Sequence, residues 1–402
     1  MLSFHRQVRF QAALALFLVL FCVALPGFAT IKAAAIIGYW TYCLIKAGFK
    51  TSSTLWFISV IANLLSWCII ASVHAVDRAD IINQCSRILI FFLVLGIGVY
   101  AVRTLKLEEG KLDSLIFSIA FLAMMLKIII LALVLSGLVS LEAVEKFVGF
   151  ESVTDLIGLG LQRLQFPSDI VILFLLPCYV GGKSKTKDAV FLLSISVVVL
   201  LSFSRFLFGG YLVCLVVRYL WVRRVDLISW FSVIVILLLS VIFFATLSER
   251  FTGEGKDDSD NARGEQIRYL DDVISSYPIL GTGIGSSIIG YKRSETIPFS
   301  YEVQWYAMTM QFGFLGITWF GANLMVVLFI GAGSRGQALS LAAILFIWIA
   351  AGFTNPYVTS LGSAFGFTIL MLRLFPHGNA NFQAAGSAPP LRSSYANHPA
   401  VP

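Results

Sequence analysis

The sequence predicts an all-α polytopic membrane protein with about twelve spans and one large polar loop. Three observations carry that prediction. Apolar residues fill 58% of the 402 positions, and the mean hydropathy is +0.88. Charged residues make up 13% of the chain, against about 25% in a soluble globular protein. The apolar stretches are long and unbroken, whereas a membrane β-barrel shows only weak alternation over about ten residues at a time.

A membrane helix needs about 20 apolar residues. Twelve stretches qualify in order: roughly 11–29, 31–48, 54–75, 86–103, 113–138, 168–182, 188–204, 205–221, 227–247, 301–331, 337–353 and 357–374. The first follows His5, Arg6 and Arg9 and looks like a signal sequence. It runs almost directly into the second without a small-residue cleavage pattern, so it reads as a retained span. The stretch 168–182, bounded by Asp169 and Lys183, is the shortest and admits a re-entrant reading. The segment 139–167 carries Glu142, Glu145, Lys146, Glu151, Asp155 and Arg163 and reads as one or two surface-lying helices. Residues 1–375 thus form one membrane domain. The stretch 376–402, rich in Ala, Asn, Ser, Gly and Pro, reads as a disordered tail.

Charge sets the orientation. With a cytoplasmic N-terminus, the inner connections receive Arg6, Arg9, Lys46, Lys50, Arg103, Lys106, Lys111, Lys183, Lys185, Lys187, Arg223, Arg224, Arg335 and Arg373. The short outer connections hold Lys32, Arg78 and Arg87. This asymmetry puts both termini inside and the loop at 248–300 outside. It also accounts for the formal charge of +7 without a nucleic-acid partner. The six cysteines are scattered, with no C-x-x-C pair and no Cys/His cluster at metal-ligand spacing, so neither a disulfide framework nor a zinc site is expected.

The loop at 248–300 concentrates 15 of the 51 charged residues in 53 positions. Residues 261–277 read as a surface helix, with Asp260 or Asn261 as its cap. Ile267, Leu270, Ile274 and Tyr277 form its apolar stripe. Arg263 heads that stripe, which aims it at the protein or at lipid headgroups, and its place in the first turn favours an anion. The competing reading is an arginine that snorkels to lipid phosphate. Arg268 lies off the stripe and reads as solvated or paired with Asp272. The run Pro278-Ile279-Leu280-Gly281-Thr282-Gly283-Ile284-Gly285 stops the helix and turns the backbone tightly. With no soluble strand-turn-helix unit around it, its G-x-G is no dinucleotide fingerprint.

Other candidates lie outside the loop. Ser202-Phe203-Ser204-Arg205 joins two apolar runs with almost no loop, which sets Arg205 near the outer interface. Its planar fork of donors suits phosphate, and an interfacial anchor is the plainer alternative. Glu302 opens the stretch 301–331, on one helical face with Trp305, Tyr306, Thr309, Gly313 and Gly316. A carboxylate at the rim of such a face is a candidate base or an ordinary edge charge. Lys127 lies inside the stretch 113–138 with no partner identifiable from the sequence, and an intramembrane charge is a functional candidate.

Taken in order, Ser204-Arg205, Ala262-Arg263, Tyr277 to Gly285, Glu302-Val303-Gln304-Trp305-Tyr306 and Phe312-Gly313-Phe314-Leu315-Gly316 resemble the O-antigen polymerase and O-antigen ligase superfamily of bacterial envelopes. The resemblance implies a GT-C-like membrane glycosyltransferase that is metal-independent and needs no cofactor. Its expected substrates are undecaprenyl-pyrophosphate-linked oligosaccharides, as donor and as acceptor, at the periplasmic face of the inner membrane. A chain-length regulator and a flippase are the protein partners it implies. Carried onto this chain, Arg205, Arg263 and Glu302 are the catalytic candidates. Arg205, Arg263, Arg268, Gln304, Tyr306 and Lys127 are the candidates for binding pyrophosphate or sugar.

One departure is informative. In the ligases and many relatives, the residue eleven positions before the glycine matching Gly313 is histidine; here it is Glu302. That favours a polysaccharide polymerase with Glu302 as base or as acceptor ligand. A ligase acting on lipid A core is the near alternative. A flippase or other transporter is the alternative from another class, but those folds carry repeated halves and paired intramembrane charges. This chain has one asymmetric outer loop and few charges in its apolar stretches.

Overall fold

A computed structural model describes residues 18–23, 27–47, 51–104, 109–148, 153–156, 161–181, 184–222, 254–292, 297–329 and 335–374. Its helices are α1 (Ala29–Ala47), α2 (Thr51–Val73), α3 (Arg78–Thr104), α4 (Glu109–Leu135), α5 (Leu141–Val148), α6 (Ile170–Cys178), α7 (Lys185–Leu201), α8 (Arg205–Val222), α9 (Glu254–Ser276), α10 (Gln304–Phe329), α11 (Arg335–Ala351) and α12 (Leu361–Leu374). One antiparallel hairpin, β1 (Val153–Leu156) and β2 (Leu161–Leu164), stands between α5 and α6.

Among the described residues, three helical stretches are long and apolar enough to cross a membrane: Thr54–Val73, Arg78–Ala101 and Gly110–Leu135. These make the chain an integral membrane protein. Of the other nine expected spans, five coincide with α1, α7, α8, α11 and α12, helices of 14 to 19 residues, and the other four divide by cause. The stretch at 227–247, most of that at 11–29, and the tail at 376–402 lie outside the described residues. The expected span 301–331 is a helix interrupted at Gly313, whose backbone leaves helical geometry (φ 61°, ψ −178°). The stretch 168–182 folds as the nine-residue α6, which rises only about 14 Å. That is too short to span, as the re-entrant reading allowed.

Short α6 is the centre of the bundle. All nine of its residues are buried, and it packs against α8 and α12, while α12 also packs on α3. The close approach depends on small residues, as is usual between membrane helices. A Cβ at Gly366 of α12 would stand 2.5 Å from the Phe174 ring of α6. The ends of α6 are satisfied by ionic groups. Asp169, at its N-cap position, accepts from the Phe166 N–H (2.8 Å) and from Lys127 Nζ (2.8 Å). At the other end, Arg218 donates to the carbonyls of Leu176 and Tyr179, and Arg373 Nε to that of Cys178 (2.6 Å). Cations at a helix C-terminus offset its unpaired carbonyls and its dipole.

The segment 139–167 differs from expectation. It holds one helix, α5, and then the hairpin, where one or two helices were expected. Val144 of α5, Leu164 at the end of β2 and Phe166 close over Ile130 of α4 in a small apolar cluster. Packing on α4 thus places a strand where charge spacing alone suggested a surface helix.

Candidate functional site

The long polar loop folds as α9 followed by a glycine-rich strap. α9 begins at Glu254, seven residues before the expected start at 261. Asp260 and Asn261 are therefore interior residues, and Arg263 is in the third turn. The argument that a helix N-terminus helps Arg263 bind an anion does not hold. The stripe itself does: Leu270 and Ile274 are buried against Val303 and, in the first turns of α10, Ala307 and Met310, with Ile267 alongside. Tyr277 leaves the stripe, nearly half exposed, its ring edge-on to His74 at 4.8 Å.

Three separate segments then meet through charge. Arg205 is the first residue of α8, and Ser204 Oγ accepts the Leu207 N–H at 3.4 Å, as an N-cap does. Arg205 Nη2 lies 3.0 Å from Asp260 Oδ1. Arg263 Nη1 lies 3.0 Å from the same oxygen, and Arg263 Nε lies 2.8 Å from Glu302 Oε2. The result is a continuous chain, Arg205–Asp260–Arg263–Glu302, running from α8 through α9 to the segment before α10. Arg205, Arg263 and Glu302 are each 22–25% exposed, so solvent reaches the chain without dissolving it.

The three catalytic candidates read from the sequence are therefore brought together. Two further members of the site were missed. Asp260, taken for a cap, is the carboxylate on which both guanidiniums converge. Gln266 is 2% exposed, and its Oε1 accepts the Glu302 backbone N–H at 2.9 Å, fixing the height of Glu302 against α9. A signal for Gln266 was present: it stands at i−4 from Leu270, which stands at i−4 from Ile274. A polar residue heading a buried line needs a partner.

Glu302 itself lies before α10, which starts at Gln304, so it does not share a helical face with Trp305 and Tyr306. The other binding candidates separate from the chain. Gln304 clamps the loop after α11: its Oε1 accepts the Val358 N–H (2.7 Å) and its Nε2 donates to Thr359 Oγ1 (3.0 Å). Tyr306 packs on the apolar face of α9. Arg268 is exposed, its guanidinium 5.2 Å from the centre of the Tyr269 ring. Lys127 is fully buried, paired with Asp169 and standing 4.8 Å over the Phe166 ring, so its contacts hold the hairpin to α6.

The glycine strap explains why Glu302 is held so firmly. Thr282 and Gly283 donate their N–H groups to the carbonyls of Met310 and Gln311 (2.8 Å each). Phe314 and Leu315 donate back to Pro278 and Ile279 (2.9 and 3.1 Å). The strap thus docks into the break in α10 and satisfies the groups that the break at Gly313 frees. Trp67 Nε1 donates to the carbonyls of both Leu280 and Phe312 (3.0 Å each), tying strap and break to α2. At Gly283 (φ 95°) a Cβ would stand 2.2 Å from the Ala71 backbone nitrogen, and at Gly313 it would stand 2.1 Å from the Ile279 carbonyl oxygen. These glycines serve backbone contact within the fold. Beyond the strap, Tyr301 accepts the Ile288 N–H at 2.8 Å, and burial pushes its phenol up to about 12.

Beside this site lies a cavity of about 530 Å³, walled by the early turns of α1 and α3, the segments before α6 and α12, and Tyr301, Gln304 and Gln311. Its volume falls within the usual range for small-molecule sites.

Comparison with known proteins agrees with the motifs. Residues 189–321 match the family model described as O-antigen ligase. A search of curated proteins found no match. The matched span includes Arg205, Asp260, Arg263, Gln266, the strap, Glu302 and Gly313. Its family supports O-antigen polymerase or ligase function and a glycosyltransferase-like enzyme acting on lipid-linked polysaccharide. Over these residues, about a third of the chain, the protein is similar to the O-antigen polymerase and ligase superfamily.

Proposed function

We propose that the protein polymerises undecaprenyl-pyrophosphate-linked oligosaccharide repeat units into O-antigen or a related surface polysaccharide, at the periplasmic face of the inner membrane. The observation that carries this reading is the ionic chain Arg205–Asp260–Arg263–Glu302. A polymerase must hold a departing pyrophosphate and take a proton from the attacking sugar hydroxyl. Two guanidiniums converging on one anionic oxygen supply the first function. A carboxylate one residue contact away supplies the second.

In the proposed reaction the donor is the growing chain on its carrier. The acceptor hydroxyl oxygen forms a new bond to the anomeric carbon as the bond from that carbon to the pyrophosphate oxygen breaks. The hydroxyl proton passes to a Glu302 carboxylate oxygen, and the carrier pyrophosphate leaves with the electron pair between Arg205 and Arg263. Asp260 bridges the two guanidiniums before substrate arrives, its Oδ1 standing where an anionic oxygen of the pyrophosphate would sit.

A carboxylate at position 302, where ligases carry histidine, favours the polymerase over the ligase. In vitro polymerisation with purified protein and a defined lipid-linked repeat unit tests this. A ladder of products formed without an ion gradient is expected. Transfer of finished polymer to lipid A core, with no ladder, would select the ligase. Products that appear only across a membrane with a gradient would select a transporter.

A further inference from the structure

The spacing of the six cysteines suggested no disulfide, yet the fold brings two of them together. Cys68 belongs to α2 and Cys85 to α3. These helices are joined by four residues, 74–77, and pack on each other as an antiparallel pair. The glycine strap fixes their register. A Cβ at Gly283 would stand 2.2 Å from the Ala71 nitrogen of α2, and one at Gly285 would stand 2.6 Å from the Ile81 nitrogen of α3. Ala71 and Ile81 are thus level with each other along the strap. Cys68 lies three residues deeper on α2 and Cys85 four residues deeper on α3, about 4.5 and 6 Å at 1.5 Å per residue. They therefore share one depth, and their side chains are in hydrogen-bonding contact. Both are half-buried, whereas Cys22, Cys43, Cys178 and Cys214 are buried.

The neighbours of the pair hold the strap. Trp67 accepts the Ile284 N–H on its carbonyl at 3.4 Å, and its Nε1 donates to Leu280 and Phe312. Gln84 Oε1 accepts the Gly285 N–H, and Gln84 Nε2 donates to Gln311 Oε1 at 2.6 Å. The cysteines follow directly on these two residues. A bond between them would clamp α2 to α3 at the level where both helices grip the strap.

We infer that Cys68 and Cys85 form a modification site that is closed as an intramolecular disulfide. The inference goes beyond the polymerase reading but rests on its outward orientation, which sets this end of the α2–α3 pair toward the oxidising side of the membrane. The co-reactant is a disulfide, carried by an oxidised dithiol. One cysteine thiolate attacks a sulfur of that disulfide, forming a mixed disulfide and releasing one thiol of the oxidant. The second cysteine thiolate then attacks the first cysteine's sulfur, forming the Cys68–Cys85 bond and releasing the other thiol. Two electrons and two protons pass from the pair to the oxidant, which ends as a dithiol.

The test maps sulfur directly. Membranes are quenched in acid, denatured in excess N-ethylmaleimide and digested without reductant for mass spectrometry of the full-length chain. A linked peptide containing Cys68 and Cys85 is expected, with the other four cysteines alkylated. In Cys68→Ser, Cys85 should become alkylated, and a Cys85 still protected there would mean a different partner and overturn the pairing. Reductant should lower the melting temperature of the unaltered protein in detergent by about 5 °C, the effect of opening a short cross-linked loop, and leave that of Cys68→Ser/Cys85→Ser unmoved. Equal shifts in both would refute the bond. Alkylation of both cysteines in the unaltered protein would also overturn the inference, and oxidised glutathione added to the purified protein then separates the causes. Closure at that stage would put the pair on a reducing side, against the proposed orientation. Failure to close would refute the contact itself. The sulfur map reads neither product nor substrate, so it stands apart from the outcome of the polymerisation assay.

Discussion

Arg263 sits at the middle of the ionic chain, so Arg263→Ala tests the proposed chemistry most directly. The substitution removes the 2.8 Å contact to Glu302 and the 3.0 Å contact to Asp260. A buried charge-assisted hydrogen bond contributes about 1.5–3 kcal/mol. With the arginine and Glu302 near a quarter exposed and Asp260 about half exposed, solvent screening cuts each to roughly 1 kcal/mol. The expected loss of stability is thus about 2 kcal/mol, small enough for a well-packed bundle to stay folded. The expected loss of rate is larger, about 100- to 1000-fold, because removing one preorganised donor from a developing anion raises the barrier by about 2.7–4 kcal/mol.

The two effects are separable in one preparation. Thermal unfolding in detergent should show a shift of only a few degrees and an unchanged elution volume. Polymer formed from lipid-linked repeat units should fall to single-addition products. Arg263→Lys keeps the charge but loses the planar fork that reaches two carboxylates at once, and should recover part of the rate. A normal ladder of chain lengths from folded Arg263→Ala would refute the clamp. A loss of activity that tracks unfolding in every Arg263 variant would reduce the residue to a structural strut.

Other expectations follow from the same geometry. Glu302→Gln keeps the volume and the backbone contact to Gln266 but removes the proton acceptor, so chain extension should fall at least 100-fold with carrier binding intact; full activity would make Glu302 a spectator. Asp260→Asn removes the charge that sets the two guanidiniums and should alter the KM for the donor more than kcat; an unchanged KM would show that Asp260 positions nothing. Gly283→Ala forces a methyl group into the Ala71 backbone and should cost more than about 3 kcal/mol, read as lost detergent stability, whereas a soluble-loop role would leave the melting point unmoved. Lys127→Met strands the buried Asp169 carboxylate and should cost about 3–5 kcal/mol, much of it recovered by Lys127→Met/Asp169→Leu. Loss of polymer in a stable double variant would return Lys127 to the substrate site.

How far the site was legible depended on what kind of force placed each residue. Arg263 was found because an apolar stripe fixes the face of a helix, and Arg205 because two apolar runs met without a loop. Both patterns are local. Asp260 and Gln266 act across 55 and 36 positions of sequence, and one-dimensional spacing carries little of that. The start of α9 was misjudged for a related reason. Its first turns, Glu254 to Ser259, are polar throughout and show no period. The hairpin at 153–164 was missed because its neighbours on α4 and α5, not its own charges, decide its form.

The glycine strap shows how a fold-level device becomes a functional one. Its N–H groups and carbonyls exchange hydrogen bonds with residues 310–315, across the break in α10. α9 enters the strap at Tyr277, and α10 runs back from the break to Gln304, two residues after Glu302. Strap and break therefore set the register between α9 and the segment before α10, and that register sets the distance from Arg263 to Glu302. A rigid strap offers one geometry for this pair, and 2.8 Å between charged groups leaves little room for slack. Substitutions in the strap that remain foldable should then lower activity before they lower stability, because a shift of about 1 Å at the reacting groups costs about a hundredfold in rate. The glycine-rich run, read in the sequence as a helix stop and tight turn, would act on catalysis through backbone contacts without touching substrate.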